Sequence, residues 1–363
     1  MVAFPSIGIL RPAMKKKNGS SPPSMDELTA HLDRGWDLLR KNDFRGAEIS
    51  AQKALDIEAD SPEALTLLGA VAAGEGDEEE ALEQFRRAME ADPEYVSPML
   101  YTAEILLGPD GDPEEALKLV DEALELAEDE DEYLDALLLK SEALIALGDA
   151  DEEARETLDE LPEDVQFADP VYHLRAARCF FDLGEVDEAL EHYTRCLSEE
   201  PDSADAWHGM GLVHEERGDH KAQSEAWNKV RKLDLAEAPP PWAITAEEFG
   251  NIADAAVAEL PPRIRKLLEN VPILASDYPS EDFIADGGDP RVLGFFDGVP
   301  YPDKANAMGS TGHLDCINLY QRNIERMCRS RDEVEEEVRV TVLHETAHFF
   351  GMSEEDLEAI GLD

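Results

Sequence analysis

The sequence predicts an α-helical solenoid followed by a small α+β domain. A helix–turn–helix pattern recurs along residues 29–235, three prolines interrupt it at 239–241, and a mixture of helix and strand patterns follows. We therefore expect a disordered leader over 1–25, about six repeats over 29–235, a proline-rich linker over 236–245 and a second domain over 246–363.

The clearest repeat occupies residues 62–93, with the sequence PEALTLLGAVAAGEGDEEEALEQFRRAMEADP. Gly69 is expected where its two helices cross, and Phe85 fills the space between them. Gly76 and Asp77 form the turn. Further copies align on this one. The residue at the crossing recurs as Gly35, Gly69, Glu104, Ser141, Ala177 and Gly211, and the alanine after the turn recurs as Ala47, Ala81, Ala116, Ala154 and Ala189, with Gln223 in the last copy.

This pattern resembles the tetratricopeptide repeat (TPR), a helix–turn–helix unit with a period of about 34 residues. One helix pair cannot bury its apolar stripe alone, so the repeats are expected to stack around a continuous core. The resemblance implies a concave groove for a peptide or a partner protein. The acidic composition favours a basic partner segment.

Charge narrows the possible functions. The chain has 84 acidic and 32 basic residues, a net charge of −52. Nucleic acids and anionic lipids are bound by clustered Lys and Arg, so we expect neither a nucleic-acid nor a membrane partner. No apolar run of the sequence reaches the ~18 residues of a membrane-spanning helix. The four cysteines form no CxxC pair, which favours a reducing, cytoplasmic location.

The second domain has an α+β pattern. Short helices are expected over 246–259 and near 263–269, and strands over 271–279, 291–300 and 313–320, the last of which passes into a helix.

A longer helix is expected from about Arg331 to Phe350. Ser330 and Glu333 have the spacing of a capping box at its start, and Gly351 supplies the stop. Most of its second half is apolar, which is typical of a buried helix.

This helix contains His344-Glu345-Thr346-Ala347-His348, an H-E-x-x-H motif. Histidines four residues apart lie on one helix face, so their ring nitrogens can converge on one Zn²⁺. Glu345 lies beside such a metal and can take a proton from zinc-activated water. The alternative is that ordinary hydrogen bonds satisfy both histidines and that an arginine pairs with the glutamate.

A zinc enzyme usually has a third protein ligand. Gly351 allows a sharp reversal of the chain, and the ligand slot of H-E-x-x-H-x-x-G-x-x-ligand falls on Glu354. Glu355, Asp356 and His313 are the alternatives. Glu354 could instead stabilise the start of a following helix.

Residues 246–363 resemble the small bacterial zincin-like metallopeptidase family. The stretches that carry the resemblance are ELPPRIRKLLENVPILASDYP, VLGFFDGVPY, CINLYQRNIERMC and VTVLHETAHFFGMSEEDL. It implies a compact zincin fold, with His344 and His348 as zinc ligands and Glu345 as the catalytic base. The family usually has Asp where Glu354 stands, Gly where Ala347 stands and often His where Phe349 stands.

The remaining parts of an active site are less marked in the sequence. Leu293–Gly298 is the candidate strand for holding an extended substrate by main-chain hydrogen bonds, although its side chains fit core packing equally well. Tyr301, Tyr320 and His313 are candidates for stabilising an oxyanion.

The expected function is a zinc-dependent metallopeptidase that hydrolyses amides with zinc-activated water and carries a TPR scaffold for a protein or peptide partner. The alternative is a non-enzymatic TPR adaptor whose zincin-like domain is structural or inactive.

Overall fold

The computed structural model describes residues 23–109, 111–162, 170–298 and 315–352. The chain divides into two compact units, and the division falls between Gly209 and Met210. The predicted leader over 1–25 lies almost wholly outside the described residues, since the first helix begins at Pro23. No described helix is both long and apolar enough to span a membrane.

The repeat region consists of consecutive helix pairs, as the sequence predicts. The described helices are α1 Pro23–Leu39, α2 Phe44–Ile57, α3 Pro62–Glu75, α4 Glu78–Ala91, α5 Ser97–Leu106, α6 Pro113–Leu126, α7 Glu130–Leu147, α8 Asp151–Asp159, α9 Pro170–Asp182, α10 Val186–Glu199, α11 Ala204–Glu216 and α12 His220–Asp234. The predicted α-helical solenoid is therefore confirmed.

Close packing explains the aligned small residues. The five aligned alanines are all 0% exposed. A Cβ atom at Gly69 would collide with the ring of Phe85, and one at Gly211 would collide with the indole of Trp227. Each aromatic ring therefore occupies the space that a side chain on the facing helix would need.

The Gly-Asp turns end one helix and begin the next. Gly76 has a φ of 84° at the end of α3, a left-handed conformation that glycine adopts without steric cost. The Asp77 side chain then accepts a hydrogen bond from the N–H of Glu80 at 3.1 Å and caps α4. Asp43, Asp112 and Asp219 cap their helices in the same way.

Two histidines that look scattered in the sequence meet in the repeat region. His173 of α9 and His192 of α10 have their Nδ1 atoms 3.2 Å apart. The pKa of each ring is lowered to about 4, chiefly by burial and, for His173, also by the charge of His192. Both rings are therefore neutral at pH 7.

The second unit contains a small mixed sheet with helices against it, so the predicted α+β class is also confirmed. Its elements after α12 are α13 Ala246–Glu259, α14 Pro262–Leu268, β1 Ile273–Ser276, α15 Glu281–Ala285, β2 Gly294–Asp297, β3 Cys316–Tyr320, α16 Gln321–Met327 and α17 Arg331–Phe349. The strand order is β1-β3-β2, with β1 parallel and β2 antiparallel to β3.

Residues predicted as a linker lie inside the second unit and pack closely on its other elements. The indole N–H of Trp242 donates to the backbone oxygen of Glu325 at 2.8 Å, and the buried Glu325 carboxylate accepts from the backbone N–H of Ile244 at 3.0 Å. The segment is non-helical, as its prolines require.

The last repeat helix, α12, belongs to this unit and packs on its other elements. Asp234 is 1% exposed and lies 2.8 Å from Arg326 and 3.4 Å from Arg291. Tyr278 donates its hydroxyl proton to the Asp234 backbone oxygen at 2.8 Å. These contacts show what α12 packs against but do not test the domain bounds that the sequence predicts, which stay predictions.

Candidate active site

The site is built on α17, whose ends are fixed by local signals. The Ser330 side chain accepts a hydrogen bond from the N–H of Glu333 at 3.2 Å. The Glu333 carboxylate accepts from the N–H of Arg329 rather than from that of Ser330, so the predicted capping box is only half formed.

The end of α17 is a Schellman turn. Gly351 has a φ of 77°, its N–H donates to the oxygen of His348, and the N–H of Met352 donates to that of Ala347. The chain therefore reverses directly after the motif.

Apolar side chains hold α17 in the core of the unit. Val334, Val338, Val342 and Phe349 are fully buried in the cluster that also contains Ile317 and Leu319 of β3. The motif is therefore presented from a rigidly packed helix rather than from a loop.

The two histidines of the motif converge. Their Nε2 atoms are 3.0 Å apart and both rings are half-buried. The Nδ1 atom of His348 lies 3.2 Å from the backbone oxygen of Met352. Because a carbonyl oxygen can only accept, Nδ1 of His348 is the donor in this contact, which orients the ring with its Nε2 towards His344.

Glu345 lies in the same wedge of the helix and is 6% exposed. A Cβ atom at Gly294, the first residue of β2, would lie 2.9 Å from its Cγ and 3.1 Å from its Oε1. The side chain therefore passes directly beneath the edge strand. The sequence alone does not predict this contact; a glycine near the start of the predicted strand, in LGFFDG, is the one feature that points to it.

Tyr320 is the described member of the oxyanion candidates. Burial raises its pKa to about 12, and the charges of Cys316, Glu345 and Asp297 act in the same direction. It therefore keeps its proton at neutral pH, as a hydrogen-bond donor must. Tyr301 and His313 lie outside the described residues.

The described side chains of the site fit zinc in part. Two imidazole nitrogens that converge, one oriented by a backbone oxygen, are a donor set that zinc accepts. Within the described residues, no group of three or more His, Cys, Asp or Glu is arranged to hold a metal ion. Glu354, Glu355 and Asp356 lie outside the described part of the chain.

Comparisons with known families agree with this architecture. The zincin-like metallopeptidase family matches residues 268–362. Three tetratricopeptide repeat families match residues 32–96, 110–179 and 170–213. No curated protein matches the chain at a significant level.

Similar solved structures include three bacterial proteins. PilF of Pseudomonas aeruginosa is 17% identical, with a TM-score of 0.48, and the match covers 58% of this chain and 94% of that chain. A thermophilic TPR protein of Thermus thermophilus is 22% identical, with a TM-score of 0.42, over 49% of this chain and 94% of that chain. A tetratricopeptide repeat protein of Parabacteroides merdae is 18% identical, with a TM-score of 0.41, over 67% of this chain and 97% of that chain.

Helices α2–α4 and α6–α10, and the helix that carries the motif, fall within these matches, whereas α5 and α12 lie outside them. The chain carries a tetratricopeptide repeat array followed by a domain of the zincin-like metallopeptidase family.

Proposed function

We propose that the C-terminal domain is a zinc-dependent metallopeptidase and that the repeats bind a protein partner or substrate. The observation that carries the proposal is the 3.0 Å approach of the two Nε2 atoms, with the buried Glu345 beside them. The family match over residues 268–362 supports the same class of reaction.

Each side chain of the site has its own role in this proposal. His344 and His348 would hold the zinc ion, with Glu354 as the third ligand. Bound zinc would supply Lewis acidity, which polarises an amide carbonyl and acidifies water. The Glu345 carboxylate takes a proton from the attacking water and then gives it to the nitrogen of the leaving amine.

The edge strand supports an extended substrate. In the described part of the sheet, β2 pairs only with β3, so its other edge offers backbone groups beside the motif. A peptide main chain can pair with such an edge, which would bring one of its amide bonds towards Glu345.

The repeats supply recruitment in this proposal. TPR proteins are protein-binding scaffolds as a class, and the net charge of −52 favours a basic segment as the partner. We also propose a cytoplasmic location, which the four free thiols support.

The decisive variant is Glu345→Gln, which keeps the size of the side chain and removes the base. We expect the wild type and the variant to bind zinc equally, and the variant to cleave fluorescein-labelled casein at least ~100-fold more slowly, because a general base typically contributes 10²–10⁴-fold. Zinc is measured by mass spectrometry of the purified chain. Glu336→Gln, the same change at an exposed position of α17, is the control and should keep full activity.

The outcomes separate the competing interpretations. Equal cleavage by wild type and Glu345→Gln would rule out Glu345 as the base. Zinc binding without any cleavage by the wild type would favour the adaptor. For the third ligand, Glu354→Ala should weaken zinc binding clearly more than Asp356→Ala.

A further inference from the structure

Gly294 lies where the edge strand meets the helix of the motif. It opens β2 and pairs with Leu319 of β3. Phe296, two residues further and on the same face, packs edge-to-face on Phe349 of α17, with ring centroids 5.6 Å apart. The strand β2 therefore packs alongside the helix α17, and Gly294 is the strand residue that contacts the helix beside Glu345.

No side chain fits at this point. A Cβ atom on Gly294 would lie 2.9 Å from Cγ of Glu345 and 2.9 Å from Cγ2 of Thr341, which is one helical turn earlier. Such distances are far below the ~3.5–4.0 Å at which carbon atoms pack favourably. An alanine would therefore have to displace either the strand or one of these two side chains.

Thr341 cannot yield easily. It is 4% exposed, and its hydroxyl donates to the backbone oxygen of Glu337 at 2.8 Å, which fixes the rotamer of a side chain that is already stiff. Its methyl group therefore stays directed at the strand.

The strand is also held in place. The Tyr320 N–H donates to the oxygen of Leu293 at 2.8 Å. The buried Asn323 amide donates to the oxygens of Pro290 and Val292, both at 2.8 Å. Of the groups around Gly294, the unbranched side chain of Glu345 is the one most able to move.

We propose that Gly294 is a positioning residue for Glu345. Because Gly294 has no side chain, Glu345 can pass under the edge strand and hold its carboxylate at one place beside the histidines. This inference rests on the proposed peptidase function and concerns a residue outside the H-E-x-x-H motif. A methyl group at this position displaces the carboxylate while the two imidazoles stay where they are.

The test compares Gly294→Ala, Thr341→Ser and the double variant with the wild type. Serine keeps the hydroxyl of Thr341 and removes the methyl group that Gly294 faces. The substrate is a quenched peptide built around a bond that mass spectrometry shows to be cleaved in casein. Readouts are kcat, KM, affinity for zinc alone and the thermal midpoint. Gly250→Ala is the control, because a Cβ there meets nothing within 4 Å.

For Gly294→Ala we expect kcat to fall by ~10-fold or more, with KM and zinc affinity within about 2-fold, because misplacing a catalytic group by 1 Å can cost 10²-fold. The double variant should regain part of both kcat and the thermal midpoint. If the Gly294→Ala single variant does not fold, the double variant is compared with Thr341→Ser instead, because these two proteins also differ only at position 294.

The failures are distinguishable. An inactive wild type overturns the proposed function and this inference with it. An active wild type whose folded Gly294→Ala variant keeps full kcat overturns the inference alone. A fall in zinc affinity that parallels the fall in kcat also overturns it, because the glycine would then act on the imidazoles.

Discussion

At the scale of single residues, the pair of histidines in the repeats predicts a dependence of stability on pH. His173 and His192 have pKa values lowered to about 4 by burial, whereas an unfolded histidine titrates near 6.5. Between these values the unfolded chain binds more protons than the folded one. Stability is therefore complete above pH ~6.5 and falls as the pH falls towards 4, by about 1 kcal/mol per pH unit for each ring.

The measurement is the urea midpoint, followed by circular dichroism from pH 7 to pH 4.5. The double variant His173→Gln/His192→Gln should have a flatter dependence than the wild type, while His31→Gln, in α1, should follow the wild type. Parallel curves for the wild type and the double variant would contradict the prediction.

The sequence predicted single residues well where a spacing rule applied. The four-residue spacing of His344 and His348 was enough to predict that their rings converge, because an α-helix brings such positions together. The contact of Gly294 with Glu345 could not be predicted from such a spacing. Its partners belong to a helix distant in the chain, and no local rule predicts which glycine of a strand faces which side chain.

At the scale of elements, we predict that the last repeat helix, α12, stabilises the rest of the C-terminal unit to which it belongs. Asp234, buried near the end of α12, accepts from Arg326 and lies beside Arg291. Asp234→Ala would remove this carboxylate from both guanidinium groups, which are themselves partly exposed, so we expect a loss of about 1–3 kcal/mol. We expect a lower urea midpoint, measured by tryptophan fluorescence.

Glu237→Ala is the matched control, because Glu237 contacts the same Arg326 at 3.2 Å but is 68% exposed. An exposed pair contributes about 0–1 kcal/mol, so its loss should change little. If both variants lose the same stability, the buried position of Asp234 has no special role.

Element types were easier to predict than their lengths and contacts. Ala246–Glu259 forms a helix over the predicted residues, since Thr245 and Glu248 make a complete capping box there. The strands are shorter than predicted: β1 covers four residues of the range 271–279. A strand ends where its ladder with β3 ends, and this pairing cannot be seen in either segment alone.

At the scale of the whole molecule, the repeat period and the change in pattern at the prolines were sufficient to predict two kinds of fold. The solenoid could be predicted because each of its units repeats the same local packing, with an alanine at the closest approach. The contacts that α12 and the predicted linker make with the rest of the C-terminal unit could not be predicted, because they join single polar groups far apart in the chain, such as Trp242 and Glu325.

The net charge of −52 gives the last prediction. Like charges repel one another more in the compact state than in the expanded unfolded chain, and salt screens this repulsion as the Debye length falls from about 10 Å at 0.1 M to about 3 Å at 1 M. We therefore expect the thermal midpoint to rise by several degrees between 0.05 M and 1 M KCl. Sucrose at equal osmolality is the control, because it stabilises proteins by being excluded from their surface. The rise of the thermal midpoint in KCl should exceed the rise in sucrose. A midpoint that stays constant or falls in KCl would mean that attractive pairs such as Arg175 with Glu142 outweigh the net repulsion.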